Sequence, residues 1–522
     1  MTLVRKAYKY GVGLFGSYER GEKGLPRGQT LVSNIEWEEF GHRWKLGTLE
    51  SSGSLPQGAE KAEVWRNENY DLKAMFSGTN EGSHIDIHPE VERGALIPLF
   101  EISGSDEYGL HDYELGSCAV GNVLSSKEKD RTSASPIFEY EAELHCSGAR
   151  WIARNSDLSE TEWLSEWYLN GRRRPMMYSR CSITEVTERY TRERKLPGNE
   201  EDIFEITKQT GASRSAAFVE TDGLSFLIQH TPKNLGPSWS ECMSIEYRPV
   251  WGEIPDSNIR EVIAAITSFL MGRELVNVGH TRFNAEGRSI SQVALNPLKD
   301  NLVSMCQREA ELSPVEFDAY RSEGGIEPLL EQLVPSYLTL QDEFRLTEAL
   351  WCYWLFREVP IGLNLPVLGA GVETLASSWF ESRRSRTRGV YMPKGDFDTL
   401  LREELGLAKS KLESRQYGDR ILNRLSNAYN MGANDRLRFF FNEIGLSVGE
   451  MEWWAIGQRN PMAHGAASVF DGSTNEIMIQ ATDVYRTLFH RIALKLLGYD
   501  GAYIDYGTLG HPIRDISEPS GT

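Results

Sequence analysis

Gln458-Arg459-Asn460-Pro461-Met462-Ala463-His464-Gly465 joins two apolar-periodic stretches near the end of the chain. The first runs from Gly449 to about Gln458. The second starts at Thr482 or Asp483 and runs to Leu497, stopped by Gly498. The string holds an arginine, a polar residue, three spacers and a histidine. Arg459 and His464 are separated by roughly 500° of helical rotation, so one straight helix does not put them on one stripe. Pro461 disfavours a helical conformation at Asn460 and supplies no amide donor. The reading therefore ends a helix at Arg459 and puts His464 in the next turn, with both facing one cleft.

Upstream, residues 341–358, 366–384, 396–415, 417–430 and 433–444 have helical periodicity. Val359-Pro360 stops the first, and Asn434-Asp435 is a cap for the last. Six or seven helices with short connections predict an all-α bundle over 335–500. A turn-rich tail follows over 501–522, and its end, Ser-Glu-Pro-Ser-Gly-Thr, reads as frayed.

Residues 1–325 have a different texture. Eight of the 13 tryptophans lie here, with glycine and short polar–apolar alternation. Ile97–Ile102, Ile137–Ala142 and Leu224–Ile228 read as strands, and Pro98 demotes the first to a sheet edge. One helix is expected around Asn258–Arg273, where Ile259, Val262, Ile263, Ile266, Phe269 and Leu270 recur at helical spacing. The fold class is therefore α+β multidomain: a β-rich N-terminal region, in one or two subdomains, followed by a C-terminal all-α bundle.

The 522 residues exceed one ordinary domain, and 40% hydrophobic with 25% charged residues suits a folded chain. No run reaches the roughly 18 apolar residues of a membrane helix, so no membrane association is expected. The start lacks an apolar core and does not read as a signal peptide. Six cysteines without a CxxC pair fit reduced thiols and a cytoplasmic location. The net charge of −19 opposes nucleic-acid binding, but residues 341–500 carry 19 basic against 20 acidic side chains. Any nucleic-acid function belongs in that near-neutral third.

An Arg-polar-x-x-x-His motif late in a helical bundle resembles the HEPN superfamily. The helix 341–358, the segment Leu368-Gly-Ala-Gly-Val-Glu373-Thr-Leu375 and the Arg459–Gly465 string resemble its ApeA-like branch of bacterial anti-phage proteins. That resemblance implies a regulated, abortive-infection type endoribonuclease, with the N-terminal region as sensor for an unknown phage-derived trigger. It implies RNA as partner, transfer RNA among the candidates, and a homodimer whose two motifs share a cleft. No cofactor and no metal are implied.

The residue types suit that chemistry. RNA can be cut by its own 2′-hydroxyl if one group takes that proton, another protonates the leaving 5′-oxygen, and positive charge steadies the phosphorane-like transition state. Histidine as a residue type titrates near neutrality, so His464 fits either proton-transfer role. Arg459 presents a fork for phosphate oxygens, and Asn460 can orient either. Glu373, set among Leu368, Val372 and Leu375, is a candidate to pair with Arg459; the alternative is an ordinary helix glutamate. Arg383, Arg384, Arg386 and Arg388 are candidates to track an RNA backbone, with a solvated loop the commoner fate of such runs. Arg172-Arg173-Arg174 has the same ambiguity. The alternative function is a non-catalytic HEPN module that binds RNA or protein.

Three other signals count for little. His84, Asp86 and His88 share a strand face but lack a fourth metal ligand. Leu14–Gly21 resembles the opening of minimal nucleotidyltransferases, but only Glu36 and Glu38 follow as alternating acids. No GxxxxGK[ST] string marks a P-loop.

Overall fold

The computed structural model describes residues 43–51, 55, 58–81, 99–130, 137–177, 184–195, 201–212, 216–221, 223–231, 236–297, 299–308, 310–321, 323–463 and 472–521. Among these, a β-rich region precedes a helical one.

The strands of the first region are β1 (Trp44–Ser51), β2 (Ala59–Arg66), β3 (Leu72–Glu81), β4 (Phe100–Asp106), β5 (His111–Asp130), β6 (Ile137–His145) and β7 (Gly148–Ala153). They continue with β8 (Trp163–Leu169), β9 (Thr184–Lys195), β10 (Glu201–Ala212), β11 (Ala216–Thr221), β12 (Leu224–His230) and β13 (Met243–Tyr247). After helix α1 (Ser257–Met271) come β14 (Val276–Phe283), β15 (Ser289–Leu295) and helix α2 (Leu302–Arg308). The antiparallel order is β11-β12-β13-β8-β14-β15-β7-β5-β4-β1-β2-β3-β6, with β9 and β10 as a separate hairpin. A further pairing of β5 with β6 closes β5, β4, β1, β2, β3 and β6 into a barrel. Its interior is Leu46, Val64, Phe76, Ile102, Leu115, Tyr140 and Leu144, all buried, while alternate residues point out.

β4 is therefore an interior strand paired with both β1 and β5, not an edge. It begins at Phe100, after Pro98, so the proline costs the ladder no bond. β6 and β12 form where alternation predicts them.

The strands outside the barrel carry helix α1 on one face. Asp256 caps α1 by accepting from the Ile259 amide at 2.9 Å, and Gly272 ends it in the left-handed conformation. Val262, Ile263, Ile266, Phe269 and Leu270 of α1 pack on Leu164, Tyr168, Ile245 and Tyr247. The opposite face of β8 and β14 packs Trp163, Trp167, Val278 and Phe283 against Leu302 and Cys306 of α2.

The helical region comprises α3 (Ile326–Phe344), α4 (Leu346–Glu358), α5 (Asn364–Glu381), α6 (Lys394–Leu400), α7 (Arg402–Leu412), α8 (Gly418–Ser426), α9 (Ala433–Glu443), α10 (Glu450–Ala463) and α11 (Gly472–Leu496). A short hairpin, β16 (Ala502–Ile504) with β17 (Ile513–Asp515), follows. The α1 side of the sheet and the helices share one apolar core. Phe269 of α1 bridges them, lying 6.3 Å from the Tyr353 ring of α4 and 5.7 Å from His490 of α11.

Four expectations are corrected. Residues 341–358 are not one helix: Arg345, at φ 52°, ends α3 and begins α4. α10 does not stop at Arg459. Its backbone stays helical to Ala463, so Pro461 lies inside the last turn rather than after the helix. α11 starts ten residues before Thr482, whose hydroxyl bonds back to the Met478 carbonyl at 2.7 Å instead of capping a helix. The tail is tied down as well. Asp505 accepts from Thr508 at 2.7 Å, Arg514 at 2.8 Å, the Gly521 amide at 3.2 Å and the buried Ser520.

Below the tail, Arg491 of α11 and Glu452 of α10 form an ion pair with no solvent exposure on either side chain. Arg491 also donates to the carbonyls of Ser447 at 2.9 Å and Ile516 at 2.8 Å, and Glu452 accepts from the Gly449 amide at 2.9 Å. One buried pair thus joins two helices, the α10 N-terminus and the tail.

Candidate functional site

Arg459 leaves α10 toward α5, where residue 369 is glycine. A Cβ there would lie 2.4 Å from Arg459 Cδ and 3.2 Å from Cγ. The missing side chain is what lets the arginine stem lie across the helix. Beyond it, Nη1 of Arg459 reaches Oε1 of Glu373 at 2.7 Å. The arginine side chain is 8% exposed and the glutamate side chain 51%, so the pair runs from the interior to the surface. Nη1 nonetheless has no partner with hydrogen-bond alignment, so the contact is one of charge rather than of a directed bond.

Tyr485 of α11 completes the surroundings. Burial pushes its phenol up to about 12, against the pull of the neighbouring Arg459 guanidinium and with a push from Glu373. Its hydroxyl faces the Arg459 guanidinium, which acts on it as a hydrogen-bond partner, although no bond to it is fully aligned among the described residues. Two polar groups with unused capacity therefore lie side by side. Tyr485 was missed in the sequence, where nothing marks it. Gly369 lay inside the Leu368–Leu375 segment and was readable as a close-approach position.

Asn460 lies on the described helical backbone of α10. His464 lies outside the described residues, directly after the last residue of α10.

The arginine run is a loop after α5. Its first residue, Ser382, lies nine positions past Glu373, about 13 Å along the axis. Glu443 of α9 organises it, accepting from the Trp379 indole at 2.8 Å, the Ser385 hydroxyl at 3.0 Å and the Arg386 amide at 3.0 Å. Arg384 pairs with Glu343 at 3.1 Å, and Arg386 approaches Glu443 at 3.8 Å. Arg383 and Arg388 are exposed. Of the second run, Arg172 is buried against Glu311, Ser313 and the Phe317 ring, which makes it structural. Arg174 stays exposed, 3.7 Å from the same Glu311.

A cleft of about 770 Å³ opens elsewhere, between the sheet and the helices, and includes neither Arg459 nor Glu373. Lys299 spans it, bonding Glu274 at 2.8 Å and Glu358 of α4 at 2.7 Å. The cleft is separate from the Arg459–Glu373 pair.

Among the described residues no group of three His, Cys, Asp or Glu is arranged to hold a metal ion. The strand signal at His84, Asp86 and His88 and the stretch with Leu14–Gly21, Glu36 and Glu38 lie outside them. Cys118, Cys146, Cys242 and Cys306 are buried free thiols. Burial pushes Cys118 and Cys242 up to about 12 and Cys146 to about 11, which removes their nucleophilicity. Among the described residues no helix is long and apolar enough to cross a membrane.

Comparison with family models, curated proteins and solved structures found no match.

Proposed function

We propose that the helical region is a HEPN-type bundle and a metal-independent endoribonuclease of anti-phage, abortive-infection defence, regulated by the β-rich region. Arg459 would hold the phosphate, His464 would move the proton, and Asn460 would orient them. Two protomers in a homodimer would supply the second histidine. The observation that carries this reading is the seating of Arg459: glycine beneath it, Glu373 at its tip, and Nη1 and the Tyr485 hydroxyl without aligned partners. A phosphate oxygen would satisfy both donors, and Arg is the side chain suited to it.

The test is cleavage of total and transfer RNA in excess EDTA by the wild type and His464→Ala. The expected result is cutting that leaves 2′,3′-cyclic phosphate ends and disappears in the variant. Equal cutting by both overturns the assignment of His464.

A second reading, a non-catalytic bundle that binds RNA or a protein, draws support from the burial of Arg459, which is 7% exposed. Binding of RNA without cutting, by both wild type and variant in the presence of infected-cell extract, would favour it.

A further inference from the structure

A second cluster of cations lies in the β-rich region, independent of Arg459. Cross-strand register sets Glu166 of β8, His280 of β14, Val293 of β15, Arg150 of β7 and Glu114 of β5 in one row. The next row places Leu164, Arg282, Ser291, Ile152 and Asp112 together. Directly paired residues share a face of the sheet, and this is the face that α1 covers at its β8 end. Arg260 of α1 reaches down to it and bonds Glu166 at 2.8 Å. His280 thus has Arg260, Arg282 and Arg150 around it.

The charges do not balance. Glu166 is used twice, by Arg260 and by the Tyr168 hydroxyl at 2.8 Å. Arg150 makes only a 3.4 Å contact with the exposed Glu114. Arg282, half-buried, has no hydrogen-bond or ion-pair partner among the described residues. Burial pushes the His280 imidazole down to about 3, and the guanidiniums of Arg260, Arg282 and Arg150 push it the same way. Arg282 is likewise lowered by burial and by repulsion from Arg260 and Arg150. A half-buried guanidinium facing two others, with no ion-pair partner of its own among the described residues, is a place for an oxyanion.

Space adjoins it. A hollow of about 460 Å³ is lined by Arg150 and Val293 of this face together with Glu101, Ser103 and Glu114. Arg282 lies outside that lining, one row along the sheet, and the polar groups beside Arg150 in the hollow are Glu101, Ser103 and Glu114. A polyanion would meet Glu101, Asp112 and Glu114. A small molecule with one phosphate and several hydroxyls would meet its complement at both ends.

We infer that this sheet face binds a small phosphate monoester of a polyhydroxylated compound, such as a sugar or nucleoside monophosphate. Arg282 and Arg150 hold the phosphate, and Glu101, Ser103 and Glu114 accept from the hydroxyls.

Titration calorimetry of the full chain with ribose 5-phosphate and with inorganic phosphate tests this. Ribose 5-phosphate is expected to bind at least tenfold more tightly than phosphate. Arg282→Gln is expected to weaken both at least tenfold, and Arg282→Lys by less. Arg282 makes no hydrogen bond or ion pair among the described residues, so the melting temperature of the variants should stay near that of the wild type and serve as the folding control. Failure of both probes to bind the wild type overturns the site, as does unchanged binding in Arg282→Gln. Equal affinity for the two probes overturns the role given to the hollow.

Discussion

Nη1 of Arg459 lies 2.7 Å from Oε1 of Glu373, and the arginine gets there only because residue 369 has no side chain. A cation on α10, a carboxylate on α5 and a gap in α5 are thus parts of one arrangement. The guanidinium is held in a single direction by its charge contact with Glu373, with no fully aligned hydrogen bond at Nη1 among the described residues.

Gly369→Ala separates position from stability. Alanine favours the helix by about 1 kcal/mol over glycine, which offsets part of the roughly 1–3 kcal/mol that crowding the buried arginine stem costs. The new Cβ would displace Arg459 Cδ. RNA cleavage should therefore fall by at least tenfold in a protein that still melts cooperatively within a few degrees of wild type. Full activity in this variant would remove the seating of Arg459 from the argument. Glu373→Gln should cost only about 1–2 kcal/mol, because half of the carboxylate is in water, while lowering activity through the same loss of direction.

The Glu452–Arg491 pair predicts the opposite pattern. Neither side chain touches solvent, so removing one charge strands the other in a dry interior. Glu452→Gln should destabilise by about 3–5 kcal/mol in urea unfolding. The double variant Glu452→Gln with Arg491→Met should regain part of that loss. A single variant within about 0.5 kcal/mol of wild type would mean that water reaches the pair.

His490 makes stability depend on pH. It is fully buried, donating to or accepting from the Tyr353 hydroxyl at 2.8 Å, and its Nδ1 has no partner. Burial holds its imidazole well below 6.5, and Arg486 and Arg357 push it the same way. The unfolded chain then takes up a proton below pH 6.5 that the folded chain refuses. Its contribution is full above 6.5 and is lost as pH falls, by up to about 1.4 kcal/mol per pH unit. Between pH 7 and pH 5, His490→Gln should lose about 2 kcal/mol less than wild type in urea unfolding. Equal losses would show that the imidazole titrates in the folded state.

Local signals were the legible ones. The spacing of Ile259, Val262, Ile263, Ile266, Phe269 and Leu270 marks α1. Glu373 sits at the margin of the apolar face of Leu368, Val372 and Leu375, which is how its pairing with Arg459 was foreseeable. What escaped depended on distant partners. The β5–β6 closure needs one long strand to pair on different sides along its length, and no periodicity announces that. Thr482 resembled a cap, but its hydroxyl turns back to Met478 inside a helix set by its packing. Pro461 reads as a stop but lies inside the last turn of α10. His280 and Arg282 of β14 meet Arg150 of β7, far earlier in the chain, only by register.

Anyone grafting the helical half onto another protein would find no clean seam at Ile326. Phe269 of α1 lies between Tyr353 and His490, so a cut there leaves an open apolar wound on α4 and α11. A hybrid that keeps its solubility would have to carry α1 along, and with it the sheet that α1 covers. Inheritance of the two halves is therefore coupled: drift in the residues of β8 and β13 must be answered by residues of the bundle.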